Sequence, residues 1–423
     1  MESATAYVEN DAVVFGLLML CLGTVFYTQS IDTTFWKKFY SIVPAILLCY
    51  LLPALLNSFG IVDAENSQVY FIASRYLLPA SLVLMTLSID LKAIFNLGPK
   101  ALLLFLTGTV GIIIGGPIAI LIVSWISPET VSGVGPDAIW RGLSTIAGSW
   151  IGGGANQAAM LEIYQYNPQR YGAMVFIDVV IANIWTGLLL VGIGRKEKID
   201  TWLQSDTSSI SQLIDRVSTY ALSVKRDATL KDYIIMLALA FGVVGFSHWG
   251  AEGISGVLKN TFPLMNDPSS AIASFTSTFF WLVTLATCCG IALSFTKARR
   301  YEGTGASTLG SIFIYILVAS IGMKIDLSLL LQNPGLIAIG LIWMLVHVSL
   351  LLIVAKLSRA PYFFTAIGSM ANVGGAASAP VVAAAFHPAL TTVGVLLAVF
   401  GYAVGTYGAI LCTILMQIAS GNS

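Results

Sequence analysis

Charged side chains are scarce in this sequence, and their scarcity decides its class. Asp, Glu, Lys and Arg make up 10% of the 423 residues, whereas about 25% of the residues in soluble domains are charged. Hydrophobic residues make up 57%, and a net charge of zero gives no electrostatic reason to bind nucleic acid. We therefore predict an all-α polytopic protein of the inner or plasma membrane, surrounded by the lipid bilayer.

Catalytic and metal-binding signatures are missing as well. The five cysteines lie in apolar runs without metal-site or disulfide spacing, so we expect them to pack as small side chains. No His-Glu-x-x-His, Gly-x-Ser-x-Gly or Walker A sequence occurs, which argues against a zinc protease, a serine hydrolase and an ATP-driven pump. Aspartyl proteolysis needs two facing carboxylates, and only Asp178 lies deep in an apolar run. We expect neither enzymatic activity nor a cofactor.

Long apolar runs are what the sequence has in abundance. A membrane-spanning helix needs about 20 mostly apolar residues. This criterion predicts spans at 11–29, 39–59, 70–89, 100–126, 170–194, 232–250, 271–296, 306–323, 334–357 and 389–416. No basic cluster precedes the first run, so Val13 to Tyr27 is expected to be a span and not a cleaved signal.

Two further apolar stretches, 139–165 and 360–386, are interrupted by glycine clusters. The first contains Gly148-Ser149-Trp150-Ile151-Gly152-Gly153-Gly154-Ala155-Asn156-Gln157, and the second contains Gly368-Ser369-Met370-Ala371-Asn372-Val373-Gly374-Gly375-Ala376-Ala377. Each glycine costs a helix about 1 kcal/mol relative to Ala. Inside lipid, the freed backbone groups must be satisfied by protein or by a wet cavity. Paired broken segments therefore indicate a transporter binding site.

An internal repeat pairs these two stretches. Ser88-Ile89-Asp90-Leu91 and Lys324-Ile325-Asp326-Leu327 each end a span and precede a Gly-Pro turn, an apolar run and a broken stretch. The register that pairs Thr145 with Thr365 also pairs Thr186 with Thr406. We predict a first repeat at 1–194, a cytoplasmic linker at 195–231 and a second repeat at 232–423.

Lysine and arginine positions predict the orientation. If each broken stretch enters and leaves on one face, the basic linker and the cluster Lys297-Ala298-Arg299-Arg300 are cytoplasmic, and both termini are outside. The halves are then inverted repeats of five transmembrane helices, each with one re-entrant glycine-broken hairpin. A broken stretch that crosses the membrane would change this parity.

The glycine-rich tips are the predicted site. Helix N-termini there favour an anion, while backbone carbonyls and neutral side-chain oxygens suit Na⁺. The candidate substrate-binding residues are Ser149, Gly152, Gly153, Gly154, Ala155, Asn156, Gln157, Asn183, Asn372, Gly374, Gly375, Ser378 and Thr406. The candidate cation ligands are Ser149, Asn156, Asp178, Thr186, Ser369 and Asn372. The alternative is that the glycines only allow close helix packing.

Asp178 is the most informative acid. A carboxylate at mid-membrane costs at least about 2.5–3.5 kcal/mol, so it should face the interior and be paired, metal-bound or protonated. It is either a Na⁺ ligand or proton carrier, or a buried structural group. Helical geometry allows Asp178 and Thr186 to line one site, with Asn183 less well placed. Arg75 and Arg141 would attract an anion or reach the interface, and His347 is expected to be a packing histidine.

Several of these motifs resemble those of a known family. Gly148-Ser149-Trp150-Ile151-Gly152-Gly153-Gly154-Ala155-Asn156, Ala371-Asn372-Val373-Gly374-Gly375 and Gly401-Tyr402-Ala403-Val404-Gly405-Thr406-Tyr407 are similar to the YjcL-like integral membrane family, a domain of unknown function. More distantly, the layout resembles glutamate:sodium and citrate:sodium symporters. That resemblance implies an elevator-type transport domain on a homodimeric scaffold. The transport part would then be 70–194 with 306–416, and the scaffold helices would be 11–59 and 232–296. No paired Arg flanks either tip, which disfavours a dicarboxylate.

The sequence therefore predicts a cation-coupled secondary transporter, with Na⁺ favoured, for a small anionic or zwitterionic organic solute. A proton-coupled carrier or antiporter that uses Asp178 is one alternative. A membrane sensor without transport, or an intramembrane enzyme, is another.

Overall fold

The computed structural model describes residues 7–210, 213–214, 227–262, 273–329 and 333–421. Over these ranges the chain is helical, and the only β pairing is an isolated bridge between Val8 and Val62. Within the described residues, seven helices are long and apolar enough to cross a membrane, or nine if two bent helix pairs are each counted as one span. The predicted class, an all-α multi-pass membrane protein, is confirmed at this level.

The helices are numbered in chain order. They are α1 (Asp11–Ser30), α2 (Thr34–Ile42), α3 (Ala45–Ser58), α4 (Val69–Ile72), α5 (Leu78–Leu87), α6 (Leu91–Phe95), α7 (Pro99–Ile126), α8 (Ile139–Tyr164), α9 (Tyr171–Ile193), α10 (Lys196–Leu203), α11 (Leu230–Thr261), α12 (Thr278–Ser294), α13 (Ala306–Gly322), α14 (Gly335–Leu357), α15 (Tyr362–Val373), α16 (Gly375–Phe386) and α17 (Thr391–Ala419).

Local sequence explains where these helices begin. Asn10 caps α1 by accepting from the Ala12 and Val13 amides. Gly98, at φ +96°, precedes Pro99, which occupies the first turn of α7. At α11, Thr229 and Asp232 form a reciprocal capping box. These are ordinary helix starts, so most span positions could be predicted to within a few residues.

Three predicted spans have different boundaries in the structure. The span at 39–59 is divided, because Pro44 separates α2 from α3 and the two helices meet at 86°. The span at 70–89 contains a π-helical turn, Ala73–Leu77, between α4 and α5. The span at 232–250 continues to Thr261. Residues 211–212 and 215–226 of the predicted linker lie outside the described residues, as do residues 271–272 of the span at 271–296.

The first glycine-broken stretch is a helical hairpin. Gly153 has φ +74° and ψ −172°, far from helical values, and reverses the chain within α8. As a result the Trp140 and Tyr164 rings lie 5.8 Å apart, and Arg141 Nη1 donates to the Tyr164 carbonyl at 2.5 Å. A continuous helix would separate positions 140 and 164 by about 36 Å.

The second glycine-broken stretch is also a hairpin, formed by α15 and α16. Its turn is at Gly374 and Gly375, and Gly375 has φ +52°. The rings of Phe363 and Phe386, at its two ends, lie 5.3 Å apart, although a continuous helix would separate them by about 34 Å. Both glycine clusters therefore reverse the chain direction, as the sequence predicted.

The two hairpins begin at opposite ends of the molecule. Helix α9 shows this, because Met174, near its start, packs on Gly142 of the first hairpin. Near the other end of α9, the Leu189 carbonyl accepts from the Tyr362 hydroxyl at the start of the second hairpin. Met174 and Leu189 are about 22 Å apart along the helix. The hairpins consequently point towards each other.

The helices pack in two groups. One group consists of both hairpins with α7, α9, α14 and α17, and the other consists of α1, α3, α4–α5, α11, α12 and α13. Within the second group, α5 and α13 pack mainly on each other, on α12 and on α3. We call the two groups the hairpin group and the outer group.

Candidate functional site

The tips of the two hairpins touch. A Cβ placed on Gly375 would lie 3.8 Å from the Gly153 Cα. Beside them, α17 approaches the first tip so closely that a Cβ on Gly405 would lie 2.5 Å from the Gly152 Cα. Gly153 and Gly154 are half-buried, so neither is sealed by the surrounding protein. The tip junction is therefore a place where backbone groups of two helix breaks gather.

Asn156 fastens the first hairpin to α17. Its Nδ2 donates to the Gly152 carbonyl at 2.9 Å and to the Tyr402 carbonyl at 3.2 Å, and its Oδ1 accepts from the Thr406 hydroxyl at 2.5 Å. Asn156 and Thr406 are both fully buried. The side-chain amide thus satisfies backbone oxygen on both sides of the contact.

Asn372 fastens the second hairpin to α7 in the same way. Its Nδ2 donates to the Gly368 and Phe105 carbonyls at 2.8 and 2.9 Å, and its Oδ1 accepts from the Thr109 hydroxyl at 2.8 Å. We call these two sets of bonds the Asn clasps. In each Asn clasp, the Thr of the neighbouring helix lies four residues after the residue of that helix whose carbonyl accepts. The two Asn residues were predicted to bind solute or cation, and both N–H groups of each are used in bonds, one within its own hairpin and one to a neighbouring helix. One lone pair of each Oδ1 is left for a ligand.

Asp178 of α9 joins the two arms of the first hairpin. Its Oδ2 accepts from the Ser149 hydroxyl at 2.7 Å and from Gln157 Nε2 at 3.0 Å, and its Oδ1 accepts from Trp150 Nε1 at 2.7 Å. Ser149 and Trp150 precede the tip, and Gln157 follows it. The carboxylate is 5% exposed. No Lys or Arg of the described chain forms an ion pair with it, so three neutral donors alone stabilise the charge.

A neutral chain of hydrogen bonds holds the second hairpin. Trp185 Nε1 of α9 donates to the Ser369 hydroxyl at 2.8 Å, and that oxygen lies 2.8 Å from His347 Nε2. His347 Nδ1 lies 2.9 Å from the Gly108 carbonyl and must carry a proton to bond there. Neutral His347 then accepts from Ser369, and every member is satisfied. The histidine links three elements, as a packing residue would.

The structure separates several residues that the sequence grouped. Asp178 faces the first hairpin, whereas Thr186 donates to the Ala182 carbonyl and contacts Met370 Sδ of the second, 3.4 Å away. Asn183 is exposed and donates to the Val179 carbonyl of its own helix. Neither therefore joins Asp178. Of the remaining predicted residues, Ala155 is buried and Gly374 and Ser378 are half-buried.

The site also contains residues that the sequence did not single out. Trp150, Trp185, Thr109 and the Tyr402 carbonyl all bond to predicted site residues. A Trp N–H inside an apolar run needs an acceptor, and this requirement was the available signal for Trp150 and Trp185. Within the described ranges, no group of three His, Cys, Asp or Glu residues is placed to hold a metal ion. A Na⁺ ion would have to use backbone and neutral oxygens.

A second polar cluster links the hairpin group to the outer group. Glu162, near the end of the first hairpin, pairs with Arg75 at 3.1 Å and accepts from the Tyr70 hydroxyl. Arg75 lies in the π-helical turn and also covers the Phe279 ring at 4.4 Å. Arg141 closes the hairpin base. From the sequence, both arginines were expected to attract an anion or to reach the membrane interface. In the structure, Arg75 pairs with Glu162 and Arg141 donates to the Tyr164 carbonyl.

Comparison with known proteins agrees with this class of fold. Residues 16–418 match the family model described as "Protein of unknown function (DUF819)". The chain is also similar to "Uncharacterized membrane protein YjcL" of Bacillus subtilis (strain 168), with 24% identity over 383 residues, which cover 88% of this chain and 89% of that protein. Because the family model matches nearly the whole chain, this protein belongs to the DUF819 family of membrane proteins.

Proposed function

We propose that this protein is a cation-coupled secondary transporter of a small anionic or zwitterionic organic solute, bound where the two hairpin tips meet. The contact between Gly153 and Gly375 is the observation that carries the proposal. At each tip, one helix arm ends and the next begins, so the last carbonyls of the first arm and the first N–H groups of the second have no partner within their own helix. Inside a bilayer, such groups need a ligand, water or protein partners.

The arrangement of the hairpins supports inverted repeats and an elevator-type motion as part of the proposal. The hairpins start at opposite ends, and each follows α7 or its counterpart α14 in chain order. The hairpin group is the proposed moving part, and the outer group is the proposed scaffold and homodimer surface. This assignment moves α5 and α13 from the transport part to the scaffold, because they pack with the outer group.

Sodium is the first candidate for the coupling ion. The tip carbonyls and the remaining lone pairs of Asn156 and Asn372 are oxygen ligands of the kind that Na⁺ prefers. The second candidate is a proton, and one observation favours it. The donors around Asp178 include two N–H groups, which satisfy a carboxylate but repel a metal cation. In both versions the reaction is transport, and we propose no enzymatic activity, no cofactor and no sensor role without transport.

Uptake into proteoliposomes tests the proposal. Purified protein is reconstituted and offered a labelled pool of amino acids and carboxylates under a Na⁺ gradient, a pH gradient or neither. We expect uptake with one gradient only and loss of uptake in Asp178→Asn. Na⁺ coupling predicts thermal stabilisation by Na⁺ that disappears in Asn156→Ala or Asn372→Ala. Uptake that requires no gradient, or no uptake of any member of the pool, would overturn the proposal.

A further inference from the structure

A cavity of about 700 Å³ lies between the hairpin group and the outer group. It opens at the end of the molecule where the first hairpin begins and ends. Residues 167–169, which connect that hairpin to α9, form one wall, and residues 57–58, 64–65 and 324–327 of the outer group form the others. Its volume is that of a small-molecule site. The hairpin tips lie about 15–20 Å deeper, along arms of 10 to 14 residues.

One fixed base lies on the cavity wall. Lys324 Nζ donates to the Ala64 carbonyl at 2.9 Å and lies 5.3 Å from the centroid of the Tyr70 ring. Burial lowers the pKa of Lys324, and the nearby carboxylates Glu65, Glu162 and Asp63 act in the opposite direction. The ammonium is thus held in one place with at least one N–H beyond the Ala64 bond.

Two acids line the same cavity. These are Glu65 and Asp326, and Asn57, Asn167 and Gln169 line it with them. Just outside, hydrogen bonds from Asn66 lower the pKa of Asp63, which adds a further ionised carboxylate. Among the described lining residues, negative charge therefore exceeds positive charge by one, and Asp63 increases the difference.

This charge distribution selects between solute classes. A dicarboxylate would meet one base and at least two acids, so like-charge repulsion opposes its binding. A zwitterion meets both of its charges with an opposite partner. The amide side chains add neutral donors and acceptors that fit either end of such a molecule.

We infer that this cavity is a vestibule that binds a zwitterionic solute, with its carboxylate at Lys324 and its ammonium at Glu65 and Asp326, before the solute reaches the hairpin tips. The inference rests on the proposed transport function and narrows the solute from anionic or zwitterionic to zwitterionic. It also explains the position of the cavity, because a bound solute contacts the outer group and the end of the first hairpin at once.

Thermal shift of the purified full-length protein against two probe sets tests the vestibule. The first set contains neutral L-amino acids, and the second contains succinate and other dicarboxylates. We expect saturable stabilisation by at least one amino acid and none by the dicarboxylates. Glu65→Gln and Lys324→Gln should each raise the apparent Kd for the amino acid about tenfold, since each removes one charged hydrogen bond. Glu129→Gln is the matched control, because Glu129 is exposed at the same end but does not line the cavity.

Charge reversal sharpens the test. Glu65→Lys combined with Asp326→Lys should reverse the preference, so that a dicarboxylate stabilises the protein and the amino acids do not. The vestibule is overturned if dicarboxylates stabilise the native protein, if no probe does, or if Glu65→Gln binds like Glu129→Gln. Two results separate the vestibule from the proposed transport function. Amino-acid binding that persists in Asp178→Asn while uptake is lost supports the vestibule. Uptake that is unchanged in Glu65→Gln and Lys324→Gln supports transport and overturns the vestibule.

Discussion

The two hairpins have the same shape but differ in what holds their arms. In the first, the carboxylate of Asp178 accepts from residues on both sides of the tip, Ser149 and Gln157 among them. In the second, the bonds run through the neutral chain of Trp185, Ser369 and His347. Each hairpin also has an Asn clasp on a neighbouring helix. Among the described residues, Asp178 is the only carboxylate that bonds to residues beside either tip, and it bonds to the first hairpin. Coupling that depends on charge should therefore act at the first hairpin.

Removing that charge should have the largest effect. Asp178→Ala leaves Ser149, Trp150 and Gln157 without an acceptor, and each buried donor left unsatisfied costs about 1–3 kcal/mol. We expect at least about 3 kcal/mol of destabilisation in thermal or denaturant unfolding in detergent. The matched change in the second hairpin, Ser369→Ala, should cost clearly less. Equal losses for the two variants would show that the carboxylate is not special.

The Asn clasps test what the two hairpins share. Asn156→Ala and Asn372→Ala each remove three buried hydrogen bonds, so both should lose about 2–3 kcal/mol by the same measurement. Asn183→Ala is the control, because this Asn is exposed and should change stability by no more than about 0.5 kcal/mol. If only one of the two Asn→Ala variants lost stability, the two Asn clasps would not be equivalent.

Two alanine substitutions at the first tip distinguish the effect of backbone strain from the effect of side-chain packing. Gly153→Ala forces an alanine into φ +74° and ψ −172°, a backbone conformation that essentially only glycine adopts, and should cost about 1–3 kcal/mol. Gly154→Ala should be nearly neutral, because its Cβ would lie 3.5 Å from Ile314 Cγ2, an ordinary contact. We would measure both by thermal unfolding. A larger loss for Gly154→Ala than for Gly153→Ala would contradict the position of the turn.

The Arg75–Glu162 pair links only the first hairpin to the outer group. A double-mutant cycle with Arg75→Gln and Glu162→Gln should give a coupling free energy of about 1 kcal/mol, because the pair is largely removed from water but also bonded to Tyr70. Additive single-mutant effects would mean that the pair does not hold the groups together.

The smallest effect concerns the two threonines that the repeat pairs. Thr145 donates to the Gly142 carbonyl at 2.7 Å, whereas the buried Thr365 hydroxyl has no hydrogen-bond partner among the described residues. Thr145→Val should therefore cost about 0.5–1 kcal/mol, and Thr365→Val should be neutral or stabilising. Unfolding midpoints in the same detergent compare them, and the reverse order would be inconsistent with these contacts.

The hairpins could be predicted from sequence because their cause is local. Adjacent glycines, three at 152–154 and two at 374–375, each cost a helix about 1 kcal/mol relative to Ala. The distribution of Lys and Arg indicated which ends of the breaks share a face. The structure divides the predicted span at 39–59 at Pro44 and introduces a π-helical turn, Ala73–Leu77, into the span at 70–89. A hydropathy average over a window of residues detects neither feature. The predicted division into scaffold and transport parts depended on resemblance, and it stays a prediction.

The candidate site could be predicted only by residue type. Asn156, Asn372, Asp178, Ser149 and Ser369 were chosen because polar groups near a helix break are costly in lipid, and all five lie in buried hydrogen bonds. Their partners could not be chosen, since Thr406 is 250 residues from Asn156 and Thr109 is 263 from Asn372. Periodicity places a side chain on a helix face but does not identify the helix opposite.

Cross-linking the tips tests the central claim most directly. In a cysteine-free background, Gly153→Cys and Gly375→Cys should form a disulfide on mild oxidation of membranes, because these backbones are in contact and disulfides need Cα atoms about 4.4–6.8 Å apart. The control pairs Gly153→Cys with Gly253→Cys, which lies on an exposed part of α11 with no neighbour within 4 Å. We predict nearly complete cross-linking of the tip pair, measured by mass spectrometry of the linked peptides. Cross-linking no greater than in the control would contradict the meeting of the tips, and the proposed transport site with it.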